Sequence, residues 1–272
     1  MPTFNTQQHT IHYVIAGRPE QPALLLLHGF LGSHADFLPL LPTLSQHFYC
    51  IVPDLPGHGK TLAKANTYNF SETANSLRAL LFQLDISQTH LLGYSMGGRL
   101  ALYFTCLFPT LVLRAVLESA SPGLQSIEER TARQKKDDAI AHTLETIPLK
   151  TFLTRWYSLP LFSDLKQHDK PYQQMLERRE INNPYTLAQA LRGLSTGRQP
   201  PLWNNLKAIE CPLLLLTGEL DSKFVVLNQK MLAICHQNTA SLATLAVIKN
   251  CGHSVHLVNP AAYLETVVQF LR

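Results

Sequence analysis

The sequence lacks the features of a secreted, membrane-spanning or nucleic-acid-binding protein. No apolar run approaches the roughly 20 residues of a membrane-spanning helix, and residues 1–5 lack the charged start and apolar core of a signal peptide. The net charge is only +4, and the Lys and Arg residues form no long run. We therefore expect no membrane span and no nucleic-acid partner.

Cysteine pairs are also missing. The five cysteines lie far apart, their number is odd, and none forms a Cys-x-x-Cys pair. This pattern predicts reduced thiols in a cytoplasmic protein, and we expect no metal site. Internal repeats and low-complexity tracts are absent as well. A chain of 272 residues is long enough for one large domain or for a core with an insert.

Strand-like and helix-like segments alternate up to about residue 120. The continuous apolar run 23–27 is typical of a strand buried on both faces of a parallel sheet, and 112–117 is interpreted as another buried strand. Helical patterns are found at about 36–46 and after Ser71, which we interpret as an N-cap. The alternation predicts an α/β fold with a mostly parallel sheet flanked by helices.

The alternation stops at about residues 124–206, where charged residues are frequent and prolines interrupt the helical patterns. The sheet pattern resumes at 212–218, and a last helix is expected at about 260–271. We predict that residues 1–123 and 207–272 form the core of the fold. Residues 124–206 are then an inserted helical cap.

The segment Gly93-Tyr94-Ser95-Met96-Gly97 joins an apolar strand-like run to a helical pattern. A Gly-x-Ser-x-Gly turn in that position exposes its serine at the sheet edge, and its glycines permit close backbone approach. The N-terminus of the following helix stabilises negative charge that develops at the serine. We predict that Ser95 is the reactive residue. The alternative is an ordinary strand-to-helix turn.

A reactive serine needs an imidazole that accepts its proton, and the imidazole needs a carboxylate that holds its tautomer. His253 follows the last predicted strand, and Asp221 follows the strand before it. Ligands bind at the carboxyl ends of parallel strands, so both side chains are expected near Ser95. The order serine, aspartate, histidine along the chain suits this architecture. Competing histidines and carboxylates remain open as alternatives: His28, His58, His256, Glu118 and Glu219.

Two backbone N–H groups are predicted to bind an anion beside Ser95. Phe30 lies in a Gly-containing loop after a buried strand, and Met96 directly follows the serine. For Phe30, the alternative is a side chain that packs within its loop.

Arg99 lies one helical turn after Ser95, so both side chains can face one pocket. A buried arginine is costly unless it is paired with an anion, and its planar guanidinium suits carboxylates. Arg99 is therefore a candidate for binding an anionic substrate. The alternative is a local salt bridge, for example to Glu118.

Several stretches resemble the α/β-hydrolase fold superfamily, and the resemblance extends over the chain outside the cap. They are His28-Gly29, 54–59, 93–99 and Gly252-His253. Other stretches are similar to a narrower family, the 2-succinyl-6-hydroxy-2,4-cyclohexadiene-1-carboxylate synthases of menaquinone or phylloquinone biosynthesis. These stretches are 93–99, 118–124, 129–133, Asp164-Leu165, 196–200 and 218–224.

The narrower resemblance implies a lyase that eliminates pyruvate from 2-succinyl-5-enolpyruvyl-6-hydroxy-3-cyclohexene-1-carboxylate without any cofactor. Ser95, His253 and Asp221 would remove a ring proton. The substrate carries three carboxylates. The residues that match carboxylate-binding arginines of the family are Arg99, Arg133 and Arg179, with Arg178 adjacent to the last. The residues that match its pocket wall are Tyr94, Trp156 and Phe162.

Two other functions remain open. A serine hydrolase of esters, thioesters or carbon–carbon bonds would use the same serine, histidine and aspartate. A non-catalytic binding protein would not need all three. The predicted partner is a small tricarboxylate, and a monomer or weak oligomer is expected.

Overall fold

The computed structural model describes residues 2–272 and contains one mixed sheet. The strands of the described residues are β1 (Thr3–Asn5), β2 (His9–Ala16), β3 (Ala23–Leu27), β4 (Tyr49–Pro53), β5 (Leu62–Ala63), β6 (Thr89–Tyr94), β7 (Val112–Glu118), β8 (Leu213–Gly218) and β9 (Ala243–Ile248). Their order in the sheet is β1-β2-β4-β3-β6-β7-β8-β9, with β5 paired to β2.

The predicted mostly parallel sheet is confirmed. All neighbouring pairs from β4 to β9 along this order are parallel. The pairs that involve β2 are antiparallel. The sequence did not predict β1 and β5, because strands of three and two residues are too short to show a periodicity.

Helices flank the sheet. They are α1 (Leu41–Leu44), α2 (Phe70–Gln83), α3 (Met96–Leu107), α4 (Ile127–Thr146), α5 (Leu149–Trp156), α6 (Asp169–Glu180), α7 (Pro184–Gly193), α8 (Ser222–Cys235), α9 (Val255–Val258) and α10 (Pro260–Leu271). Short 3-10 helices span His34–Asp36, Pro109–Leu111, Pro160–Phe162, Leu165–Gln167 and Trp203–Ala208.

Two helix predictions were wrong in detail. The segment 36–46 contains only the end of a 3-10 helix and the single turn α1, because Pro39 and Pro42 lack the N–H groups that a continuous helix needs. Helix α2 is capped by Asn69 rather than by Ser71. The Asn69 side chain accepts a hydrogen bond from the Glu72 backbone N–H at 2.9 Å.

Strands β3, β6 and β8 are buried on both faces, and β7 is buried along the half that ends at the site. Leu25 and Leu27 of β3 pack into a cluster with α2 and α3, whereas Leu24 and Leu26 pack into a cluster with α10. Each fully buried leucine stabilises the fold by roughly 1.5–3 kcal/mol relative to an exposed one. The carboxyl ends of β3, β6, β7 and β8 therefore form a rigid platform.

The segment between β7 and β8 is helical and has a hydrophobic cluster of its own. Phe152, Leu153, Leu187 and Leu191 pack in this cluster, and Leu31 of the sheet domain joins it. The exact division into core and cap stays a prediction. Met1, which the predicted core includes, lies outside the described residues.

Helices long and apolar enough to cross a membrane are absent from residues 2–272.

Candidate active site

Ser95 occupies a strained turn between β6 and α3, with φ of 50°. Its backbone N–H donates to the Glu118 carbonyl at 2.8 Å. The flanking glycines are needed sterically: a Cβ at Gly93 would lie 2.5 Å from the Gly97 carbonyl oxygen, and one at Gly97 would lie 2.1 Å from that of Leu27. The turn thus presents the Ser95 side chain beyond the end of the strand.

The structure brings Ser95, His253 and Asp221 into one chain of hydrogen bonds. His253 Nε2 lies 3.1 Å from Ser95 Oγ, and His253 Nδ1 lies 2.7 Å from Asp221 Oδ2. An ionised carboxylate only accepts hydrogen bonds, so Nδ1 carries the proton and Nε2 can accept one from the serine. This geometry suits a serine that acts as a base or a nucleophile.

The competing carboxylates lie elsewhere. Glu118 pairs with His256, whose Nδ1 lies 2.9 Å from Glu118 Oε1. Glu219 is exposed and accepts from the Asn250 N–H at 3.2 Å.

The competing histidines stabilise loops. His28 Nδ1 lies 2.8 Å from the Gly29 carbonyl oxygen, and its Nε2 accepts the Leu55 N–H at 2.9 Å. His58 Nδ1 donates to the Pro56 carbonyl at 3.2 Å.

A cavity of about 370 Å³ opens above Ser95. Nearly all predicted site residues contribute to its wall: Phe30, Tyr94, Ser95, Met96, Arg99, Arg133, Trp156, Phe162, Arg179 and His253. Asp221 lies behind His253. The sequence did not single out Lys223 and Ser254, which also line the cavity. Lys223 lies two residues after Asp221, and Ser254 directly follows His253. This closeness in sequence is the feature that could have identified them as site residues.

Met96 and Phe30 flank Ser95 in the cavity wall. Met96 is the first residue of α3, so its N–H has no partner within the helix. Phe30 lies in the loop that follows β3. Both residues line the same cavity as Ser95, which is compatible with the predicted anion-binding pair.

Arg99 has no carboxylate partner among the ion pairs of residues 2–272, and the alternative pair with Glu118 does not form. Its Nη1 donates to Gln199 Oε1 at 3.2 Å, and its guanidinium lies 5.6 Å from the centre of the Phe70 ring. Burial, followed by the charge of Arg133, lowers the pKa of Arg99 to about 9, although the charge of Asp137 acts in the opposite direction. An anion in the cavity would raise the pKa of Arg99, because its charge would offset the burial of the guanidinium and the repulsion from Arg133.

Arg133 and Arg179 already have carboxylate partners. Arg133 Nε donates to Asp137 at 2.8 and 2.9 Å. Arg179 is buried, pairs with Asp36 and donates through Nε to the Tyr157 hydroxyl at 3.1 Å. Burial alone would lower the pKa of Arg179, but Asp36 and Tyr157 outweigh it and raise that pKa.

Arg179, rather than Arg178, lies in the cavity wall. Arg178 is partly exposed, and its Nε lies 3.8 Å from Asp36 Oδ1. Arg179 therefore faces the cavity, and Arg178 is a second, more distant cation beside Asp36.

Replacing Arg179 with alanine is expected to destabilise the protein by about 3–5 kcal/mol, because Asp36 is left buried without its main partner. Urea unfolding measures the loss. Arg178→Ala is the matched control, with an expected loss of about 1 kcal/mol or less. Equal losses for the two variants would contradict the importance of the buried pair.

His58 is expected to make the stability depend on pH. It is buried beside His28 and Phe30, and burial, then the charge of His28, lowers its pKa to about 3. Below the unfolded-state pKa of about 6.5, the unfolded chain binds a proton that the folded protein excludes. The stability contribution of this site is therefore complete above pH 6.5 and is lost as the pH falls towards 3.

Between pH 7 and pH 5 this single group removes about 2 kcal/mol of unfolding free energy. In urea unfolding at both pH values, His58→Gln should show a correspondingly smaller loss than the wild type. The same loss in both proteins would rule out this assignment of the pH dependence.

The residues 2–272 contain one histidine–carboxylate cluster with the spacing of metal ligands, formed by His12, His34 and Asp54, whose ligand atoms lie within 4.8 Å. Asp54 accepts from a ring nitrogen of each histidine at 2.8 Å and from the backbone N–H groups of His34 and Lys60 at 2.7 and 2.9 Å. These bonds satisfy the carboxylate and stabilise the loop after β4. The expected absence of a metal stays a prediction.

Comparison with known proteins agrees with this geometry. Residues 22–260 match the family model described as alpha/beta hydrolase fold. A relative from Bacillus subtilis (strain 168) is 34% identical over 266 residues, which cover 96% of this chain and 95% of that protein. A 2-succinyl-6-hydroxy-2,4-cyclohexadiene-1-carboxylate synthase from Salmonella heidelberg (strain SL476) is 35% identical over 259 residues, covering 94% and 96%.

A solved structure supports the same relationship. MenH from S. aureus superimposes with a TM-score of 0.87 at 30% identity, and the match covers 98% of each chain. The two relatives are more than 30% identical to this chain over almost the full length of both proteins, and the solved structure has the same fold. The chain therefore belongs to the 2-succinyl-6-hydroxy-2,4-cyclohexadiene-1-carboxylate synthase family within the alpha/beta hydrolase fold.

Proposed function

We propose that the protein is a carbon–oxygen lyase that eliminates pyruvate from 2-succinyl-5-enolpyruvyl-6-hydroxy-3-cyclohexene-1-carboxylate. The observation that carries this proposal is Arg99, a cation without a carboxylate partner in the same cavity as Ser95. A hydrolase of neutral esters has no use for such a group. The names of the relatives support the same reaction.

The reaction is a 1,4-elimination. Ring carbon 2 loses a proton, the ring double bond moves to carbons 2 and 3, and a second double bond forms between carbons 4 and 5. The bond from carbon 5 to the enolpyruvyl oxygen breaks, and the released enolpyruvate takes up a proton to become pyruvate. Water is not consumed, so the enzyme needs only a base, charge stabilisation and a shaped pocket.

Ser95 is the proposed proximal base. Its Oγ takes the proton from ring carbon 2 while its own proton passes to His253 Nε2, 3.1 Å away. Asp221 stabilises the imidazolium that forms. Carbon 2 is adjacent to the succinyl ketone, so negative charge develops on the ketone oxygen. The backbone N–H groups of Phe30 and Met96 are proposed to stabilise it.

The carboxylates of the substrate are proposed to bind the arginines of the cavity. Arg99 supplies an unpaired guanidinium, and Arg133 and Arg179 supply guanidinium groups already held by Asp137 and Asp36. Paired arginines are oriented in advance, which lowers the entropic cost of binding. The aromatic side chains of Tyr94, Trp156 and Phe162 then enclose the ring.

The proposal is tested by supplying the enolpyruvyl substrate to the purified protein and following pyruvate with lactate dehydrogenase and NADH. One pyruvate should appear for each conjugated cyclohexadiene detected by its ultraviolet absorbance. Simple esters serve as the comparison. Rapid ester turnover without pyruvate release would favour a serine hydrolase, which the same three side chains would also serve.

We also propose that this enzyme acts in the cytoplasm, in menaquinone or phylloquinone biosynthesis, as a monomer or weak oligomer. The five free cysteines support the proposed cytoplasmic location. The division into a core of 1–123 and 207–272 and a cap of 124–206 is proposed on the separate hydrophobic cluster of the cap.

A further inference from the structure

Asp164 is a buried carboxylate that the proposed mechanism leaves unused. It is only 7% exposed and lies at the N-cap position of the 3-10 helix Leu165–Gln167. An aspartate in that position usually caps its own helix, but the side chain of Asp164 makes no such bond. Its Oδ2 accepts the Gly252 backbone N–H instead, at 2.5 Å and 88 residues away in sequence.

The partner of Asp164 is the residue directly before His253. The contact is so close that a Cβ at Gly252 would lie 2.3 Å from Asp164 Oδ1, so a side chain at this position would displace the carboxylate. On the other side of the same loop, the Cys251 carbonyl accepts the Leu220 N–H at 2.9 Å. The backbone before His253 is therefore fixed from two sides.

The same segment also contacts the imidazole. The Phe162 ring lies 6.0 Å from the His253 ring, centre to centre, with an edge-on angle of 79°. Phe162 ends the 3-10 helix Pro160–Phe162, only two residues before Asp164. One short stretch of the predicted cap thus holds both the backbone and the ring of His253.

Burying a carboxylate with a single backbone partner is costly, and stability alone does not account for its presence here. We infer that Asp164 is a positioning residue, which holds the His253 loop so that Nε2 stays within reach of Ser95 Oγ. It acts through Gly252 and touches no substrate. The inference deepens the proposed function and rests on it for the substrate, although the relay of Ser95 and His253 can also be probed without that substrate.

The test compares Asp164→Ala, Asp164→Asn and the control Glu145→Ala with the wild type. Glu145 pairs with Arg192 at 2.5 Å on the outer side of the helical segment, so its loss removes an ion pair without contact to the His253 loop. Two activities are measured. One is pyruvate release, as kcat and KM. The other is the rate at which a fluorophosphonate labels Ser95: the Oγ–P bond forms, fluoride leaves and the serine proton passes to His253.

Asp164→Ala is expected to lower both kcat and the labelling rate by about 10- to 100-fold with KM nearly unchanged, because misplacing a catalytic group by about an ångström has this effect. Asp164→Asn keeps an oxygen acceptor for the Gly252 N–H, so it should restore most of both rates. Glu145→Ala should match the wild type. Thermal unfolding checks that each variant is folded at the assay temperature.

Wild-type rates in Asp164→Ala, or an equal loss in Glu145→Ala, would overturn the inference. A higher KM with unchanged kcat and labelling would overturn it as well, since it would place Asp164 in substrate capture. If the wild type releases no pyruvate, the proposed function fails. The labelling rates still decide the role of Asp164.

Discussion

Replacing Ser95 with alanine is expected to lower kcat for pyruvate release by about 10³- to 10⁴-fold, the contribution of a well-placed general base. The alanine removes the atom that lies 3.1 Å from His253 Nε2. The cavity and its arginines are retained, so substrate affinity should change little. The measurement combines steady-state pyruvate release with calorimetric titration of the variant by the substrate.

Ser71→Ala is the matched control, because Ser71 is exposed in the first turn of α2 and does not line the cavity. It should retain the wild-type kcat. A Ser95→Ala variant with nearly normal turnover would show that another group removes the ring proton.

Replacing Arg99 with alanine is expected to lower kcat/KM by roughly 100- to 1,000-fold, because a substrate carboxylate then loses a charged partner inside the cavity. The free energy of unfolding should stay constant or rise. In the wild type this guanidinium makes no direct ion pair, and Asp137 offsets its burial only in part, so burial remains the largest cause of its lowered pKa. Pyruvate release and urea unfolding of the same preparation measure both effects.

Arg99→Lys should recover only part of the activity, since an ammonium group cannot reproduce the planar two-point contact of a guanidinium. The control is Arg198→Ala, which removes an exposed pair with Asp138 at 3.1 Å and a hydrogen bond to the Arg192 carbonyl at 2.7 Å. It should leave kcat/KM unchanged and lower the free energy of unfolding by about 1 kcal/mol or less. If Arg99→Ala loses stability while keeping kcat/KM, Arg99 has a structural role.

Local patterns in the sequence were sufficient to predict the site residues whose positions are set by the strands of the sheet. Strands β3 and β8 contain continuous leucine runs because both of their faces are buried, and β6 and β7 are apolar over most of their length. Ser95, Asp221 and His253 follow the parallel strands β6, β8 and β9, so their meeting at one sheet edge is a consequence of parallel topology.

Contacts between distant segments were not predictable in this way. Asp36 and Arg179 are 143 residues apart, and Asp164 and Gly252 are 88 apart, so no periodicity links them. The sequence also could not decide which of two nearby residues caps α2. Asn69 and Ser71 are both good N-cap residues, and only the observed start of α2 at Phe70 distinguishes them.

The central claim is that the relay of Ser95 and His253 removes the proton from ring carbon 2 as pyruvate leaves. A substrate with deuterium at carbon 2 tests it most directly, with pyruvate counted enzymatically and the ring product analysed by mass spectrometry. The ring product should lose one deuterium for each pyruvate released, and Ser95→Ala should slow both events together. Pyruvate release with deuterium retained on the ring product would contradict it.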